Sequence, residues 1–149
     1  MKAILTGHTR GLGAAIAEQL LARNVPVLGL ARSGNTALAA QYPALLTEIA
    51  LDLADPAALL AALAGDTVRD FVAGALSLLL INNAGMLQPV GRVEMQDAAA
   101  IARTVSLNGA GQHQRCGDIQ ADGTGDGRRV LHLDASDWLQ HAGVVDQQQ

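Results

Sequence analysis

The residues best placed to do chemistry stand early in the chain. Thr6-Gly7-His8-Thr9-Arg10-Gly11-Leu12-Gly13 sets three glycines between an apolar run, Lys2 to Thr6, and an Ala-rich stretch with helical spacing. Glycine is needed where a backbone turns sharply or where a ligand must approach the main chain closely. A helix beginning there presents free N–H groups and the positive end of its dipole, which suits a pyrophosphate. Gly-rich turns also join strands to helices without binding anything. The strand before this loop and the helix after it raise it above such a turn and make it a dinucleotide-binding candidate through Gly7, Thr9, Gly11, Leu12 and Gly13. His8 reads as a polar filler of the loop.

Position 32 bears on which dinucleotide. An acid at the end of the second strand, about 20 residues beyond the glycines, would hydrogen-bond the ribose hydroxyls. Arg32 stands there instead, and Arg10 lies inside the glycine loop. Two guanidinium groups would suit a ribose 2′-phosphate through forked, charge-assisted hydrogen bonds, so NADP(H) is expected over NAD(H). The plain alternative is two solvated surface arginines. Asp52, in Leu51-Asp52-Leu53, could accept a hydrogen bond from an adenine amino group, or simply close a strand. Asn82-Asn83-Ala84-Gly85 follows a fourth apolar run. Such residues are ordinary in turns, but at the carboxyl edge of a sheet they would line a ligand crevice.

The elements that must position these residues alternate strand and helix. Lys2 to Thr6, Val25 to Ala31, Leu46 to Leu51 and Ser77 to Ile81 are short apolar runs expected as buried strands. From Gly11 to Arg23, Leu12, Ile16 and Leu20 recur every four residues and mark one helix face. Asn35 to Gln41 reads as a short helix. Asp55-Pro56 gives an N-cap and a first-turn proline ahead of an Ala/Leu helix, and Glu94 to Leu107 reads as another. Alternation at this spacing predicts βαβ units: an α/β, doubly wound, Rossmann-like parallel sheet of about four to five strands.

Composition narrows the function classes. The chain has 149 residues, half of them hydrophobic and only 2% aromatic, with a formal net charge of −4. A mildly acidic chain gives no electrostatic reason to expect nucleic acid or an anionic membrane as partner. Cys116 is the single cysteine and cannot make an intrachain disulfide. The longest apolar run, Phe71 to Ile81, is too short to span a bilayer, and the first residues have no signal-peptide core. A cytoplasmic protein is therefore expected. The averages hide a break, however. Ala and Leu supply 44 of the first 108 residues but only 7 of the last 41, where Gly, Asp and Gln make up 20. The chain is accordingly read as a nucleotide-binding unit over 1–108 and an atypical tail over 109–149.

TGHTRGLG, Asp52-Leu53, Asn82-Asn83-Ala84-Gly85 and Asn108, in this order and spacing, resemble the short-chain dehydrogenase/reductase family over residues 1–108. The N-terminal half is faintly similar to its sepiapterin- and benzil-reductase-like members. The resemblance implies an oxidoreductase passing hydride between NADP(H) and a small carbonyl or alcohol substrate. It assigns the glycine loop to the pyrophosphate, Arg10 and Arg32 to NADP(H) preference, Asp52 and Leu53 to adenine, and Asn83, Ala84 and Gly85 to the central sheet and cofactor. Family catalysis uses Asn, Ser, Tyr and Lys. The tyrosine donates a proton to the carbonyl oxygen, and a lysine one helical turn later lowers its pKa from about 10. Asn108 matches the asparagine. Tyr42 and Lys2 are the chain's one tyrosine and one lysine, forty residues apart, so the Tyr-x-x-x-Lys pair is absent.

The tail departs from the family. Gly127 to Leu133 resembles the start of its fifth strand, but Ser136 stands one residue out of register with the catalytic serine. Gly109 to Asp126 holds five glycines where a helix should continue. A shifted reading frame after Asn108 is expected, with natural truncation as the alternative. His113, Cys116, His132 and His141 have no standard zinc spacing, so no metal site is assigned. Asp134, Ser136 and His141 lack the strand–elbow–helix of a hydrolase triad. Two functions compete: an NADP(H)-dependent oxidoreductase, or a non-catalytic dinucleotide-binding fragment of one. An incomplete sheet would leave an edge and apolar surface open, and self-association or a homo-oligomer is expected.

Overall fold

A computed structural model describes residues 1–85, 97–113 and 129–134. Five parallel strands form one sheet: β1 (Lys2–Thr6), β2 (Val27–Ala31), β3 (Leu46–Ala50), β4 (Ser77–Asn82) and β5 (Arg129–Asp134), in the order β3-β2-β1-β4-β5. The chain first winds outward from β1 through β2 to β3, then returns to the other side of β1 with β4. That reversal leaves a crevice between the carboxyl ends of β1 and β4. Alternate side chains of the central strands feed two cores. Ala3, Leu5 and Val27 pack with Ile16, Ala17, Leu20 and Leu21 of α1 (Gly11–Ala22) and Leu38 of α2 (Thr36–Gln41). On the opposite face, Ile4, Leu28 and Leu30 pack with Val68 and Phe71 of α4 (Asp66–Val72) and with partly buried Leu59 and Ala62 of α3 (Pro56–Ala64). Helices on both faces of an all-parallel sheet make this a doubly wound, Rossmann-like α/β fold.

Local chemistry explains most boundaries. Asp55 caps α3, its Oδ1 accepting from the N–H groups of Ala57 and Ala58 at 2.9 and 3.2 Å, with Pro56 in the first turn. The expected Ala/Leu helix is α3; the chain is extended at Gly65, and a further helix that the sequence did not mark, α4, follows it. The apolar run Phe71 to Ile81 covers the end of α4, a turn at Gly74 (φ 68°) and β4, which begins at Ser77 as expected. The last helix, α5 (Ala98–His113), runs past Leu107, so the change in composition after residue 108 falls inside a helix. β5, from the compositionally distinct tail, pairs in register with β4 from Ser77–Arg129 to Asn82–Asp134. Ser136, Cys116 and His141 lie outside the described residues.

Candidate functional site

The turn from β1 into α1 is built for close approach. Gly7 and Gly11 have φ of 71° and 55°, a region that costs an L side chain strain. At Gly13 a Cβ would fall on the Gly7 carbonyl oxygen, so any side chain there would push the turn apart from the helix. Arg10 occupies the N-cap position of α1 with extended backbone, and its side chain makes no capping hydrogen bond. The first N–H groups of the helix have no acceptor one turn earlier and point out of its end.

β4 holds that turn in place. The Asn83 amide Nδ2 donates to the carbonyl oxygens of Thr6 and Gly7 at 3.2 and 3.1 Å. In return, Thr6 Oγ1 accepts the backbone N–H groups of Asn83 and Ala84, both at 3.0 Å. Two chain segments 77 residues apart are thereby tied across the β1–β4 reversal.

One crevice of about 960 Å3 opens above these carboxyl ends. Its floor is the glycine turn, with Gly7, Thr9, Gly11, Leu12 and Gly13. One wall carries Ala31, Arg32 and Ser33 with Arg10 beside them; another carries Leu51, Asp52 and Leu53; and Asn83, Ala84 and Gly85 close the β4 side. All twelve residues expected to contact a dinucleotide thus share one cavity, at the upper end of the size range for cofactor sites. α5 supplies two residues that the sequence did not single out, Leu107 and Arg103. Arg103 donates through Nη2 to Asp52 Oδ2. Asp52 Oδ1 accepts the Ala54 N–H at 3.0 Å. The Ala54 hydrogen bond first, then Arg103 and the more distant Arg32 charge, hold the Asp52 carboxyl below its ordinary value. Among the described residues, the crevice lining carries three guanidinium groups, of Arg10, Arg32 and Arg103, and one carboxylate, of Asp52.

Asn108 lies on α5 near the crevice's β4 side, where a Cβ on Gly85 would come within 3.4 Å of its Oδ1. Tyr42 and Lys2 are elsewhere. Tyr42 ends α2, its hydroxyl accepting from Gln41 at 3.2 Å. Lys2 Nζ donates to the Phe71 and Ala73 carbonyls at 2.6 and 3.1 Å. His8, expected as a polar filler of the loop, also makes a specific contact. It is fully buried beneath the loop, with Nε2 2.6 Å from Glu48 Oε1, because the absence of a side chain at Gly29 leaves room for its ring.

A family model described as short chain dehydrogenase matches residues 1–118 of the chain. The chain belongs to the short-chain dehydrogenase family. A benzil reductase ((S)-benzoin forming) of Bacillus cereus is 34% identical over 115 residues, covering 70% of this chain and 43% of that enzyme. The crystal structure of a short-chain dehydrogenase/reductase from Burkholderia vietnamiensis superposes with a TM-score of 0.77 at 40% identity, over 99% of this chain and 77% of that one. A family member from Burkholderia multivorans with bound NADP matches at 25% identity and a TM-score of 0.54, over 72% of this chain and 47% of that one. The chain therefore spans under half the length of the curated relative. Short-chain dehydrogenases use nicotinamide cofactors and act on small molecules. Among the described residues, no helix is long and apolar enough to cross a membrane.

Proposed function

We propose that this chain binds NADP(H) in the crevice and does not itself complete the family's hydride-transfer chemistry. The observation that carries the binding half is Arg10 and Arg32 lining the same cavity as the bare N-terminus of α1. The donor set fits the ligand. N–H groups and a positive helix end suit the diphosphate. Two guanidinium groups suit a 2′-phosphate better than a ribose diol. Asp52 offers an acceptor for an amino group on the base, and Asn83, Ala84 and Gly85 line the remaining side. A bound nicotinamide would supply the hydride; this chain's residues would hold and orient it.

The absence of a Tyr-x-x-x-Lys pair supports the second half. Asn108 is the one residue of the family's catalytic set matched in register. Without a tyrosine acid next to a lysine, no side chain is left in the family's place to protonate a carbonyl oxygen. The second reading is that the chain is itself an NADP(H)-dependent carbonyl or alcohol oxidoreductase, as the family resemblance implies. Thermal melts separate the claims. NADPH should raise the melting temperature of the full chain, more than NADH at equal concentration, because a ligand that binds only the native state stabilises it. No shift at millimolar NADPH, with a cooperative melt, removes the binding claim. Carbonyl-dependent NADPH oxidation that Asn108→Ala abolishes removes the claim of inactivity. For the tail, resequencing the locus tests the shifted frame; an intact frame with no compensating insertion or deletion refutes it.

A further inference from the structure

A carboxylate and an imidazole lie behind the crevice rather than in it. The His8 side chain is 1% exposed, and the Glu48 side chain on β3 is 23% exposed. Glu48 Oε1 accepts twice, from His8 Nε2 at 2.6 Å and from the Asn35 backbone N–H at 2.7 Å. Partial burial pushes the Glu48 carboxyl up. The hydrogen bonds from Asn35 and His8, with the electrostatic attraction of the His8 ring, outweigh it and leave the group below its ordinary value. An ionised carboxylate only accepts, so Nε2 carries the proton in this contact. Asn35 closes the circuit: its Nδ2 donates to the Thr9 carbonyl at 3.3 Å, while its Oδ1 caps α2 by accepting the Leu38 N–H at 3.1 Å. Thr9 adjoins His8, so the ring of contacts returns to the glycine turn where it started.

This arrangement is costly for a strand that needs no charge. A carboxylate placed under a loop loses hydration, and a β-branched residue at an edge strand would serve the sheet as well. What the circuit joins is specific. Arg10 directly follows Thr9, and Arg32 stands three residues before Asn35. A phosphate held by both guanidinium groups requires the two turns at a fixed separation, and holding that separation before the ligand arrives lowers the cost of binding. Glu48 is absent from the crevice lining and touches both turns from behind.

We propose that Glu48 is a positioning residue for dinucleotide discrimination: by joining His8 to Asn35, and through Asn35 to Thr9, it sets the distance between the turns that carry Arg10 and Arg32. The proposal rests on the NADP(H) reading and adds a residue that selects the 2′-phosphate without contacting it. The full chain is titrated with NADPH and with NADH by calorimetry, as wild type and as Glu48→Ala, Glu48→Gln and Asn35→Ser, with a thermal melt of each. Glu48→Ala should weaken NADPH about tenfold more than NADH, the size of one charged hydrogen-bond partner lost. Glu48→Gln keeps an oxygen that can accept from both donors and should restore most of the preference. Asn35→Ser keeps a capping oxygen but cannot reach Thr9, and should lower the preference by a smaller factor. Equal losses for the two nucleotides, a lowered melting temperature with an unchanged NADPH:NADH ratio, or no rescue by Gln overturns the proposal. If Glu48→Ala does not fold, an unchanged ratio in Asn35→Ser overturns it alone. A wild type that prefers NADPH while no variant alters the preference removes the proposal and leaves the NADP(H) reading standing. A wild type without the preference removes both.

Discussion

Arg103 of α5 and Asp52, two residues beyond β3 and fifty-one residues away in the chain, form an ion pair at the crevice. The pair fastens the helix that carries Asn108 to the loop that faces Arg32. Both partners are more than a third exposed, so the contact is worth under about 1 kcal/mol. Its sign with pH is nonetheless fixed. The Asp52 carboxyl is held below its ordinary value of 3.8, so its contribution is present above that value and is lost as the pH falls through the lower, folded one. Arg103→Ala should therefore cost stability at pH 7 and cost less below about pH 3.8. Urea melts at pH 7 and pH 3 check this; an equal deficit at both would show that the ion pair is not the cause.

Arg32 should matter to one nucleotide and little to the other. Arg32→Ala is expected to raise the dissociation constant for NADPH by about 10- to 100-fold, the loss of a charged hydrogen-bond partner or two. The constant for NADH should change by less than about threefold, within one surface charge contact. Calorimetric titration with both nucleotides measures the ratio. A parallel loss for both would place Arg32 at a site common to the two.

Asn83 discriminates donor from acceptor. Its amide gives two hydrogen bonds to the Thr6 and Gly7 carbonyls. Asn83→Ala should cost about 1–3 kcal/mol by leaving those oxygens unpaired. Asn83→Asp is nearly the same shape but turns an acceptor toward two acceptors, and should be worse than Ala at pH 7. Denaturant melts of both variants decide the order; an aspartate variant as stable as wild type contradicts the donor role.

Gly29 and His8 should be coupled. A Cβ at Gly29 would overlap the His8 ring. Gly29→Ala alone is expected to cost about 1–3 kcal/mol of overpacking. Combined with His8→Ala, which vacates the space, the second change should cost far less than it does alone. A double-mutant cycle gives the interaction energy, and strict additivity would refute the contact.

The glycine turn, the strand–helix alternation and the cap at Asp55 were legible in the sequence because each is local. A positive φ, an N-cap or a run of β-branched and aliphatic residues depends on a few neighbours in the chain. The helix α4 was not, since seven residues of mixed polarity carry too short a pattern to mark a helix. Arg103 carried no signal: a lone arginine on a helix resembles any solvated one until its partner on another element is in place. The partner of His8 was hidden for the same reason. The burial of His8 is decided by Gly29 and Glu48, twenty-one and forty residues further along.

The glycine turn with Arg10 and Arg32 around it, and the lack of a Tyr-x-x-x-Lys pair in these 149 residues, were legible in the sequence alone, because they follow from residue identity and spacing. Only the tertiary structure decided which of those residues share a cavity, and which side chains stand behind it. Strand order brings β4 beside β1, and that reversal opens the crevice and lets Asn83 grip the glycine turn. Contacts between segments tens of residues apart are set by packing of the whole sheet, and no short window of sequence contains both partners.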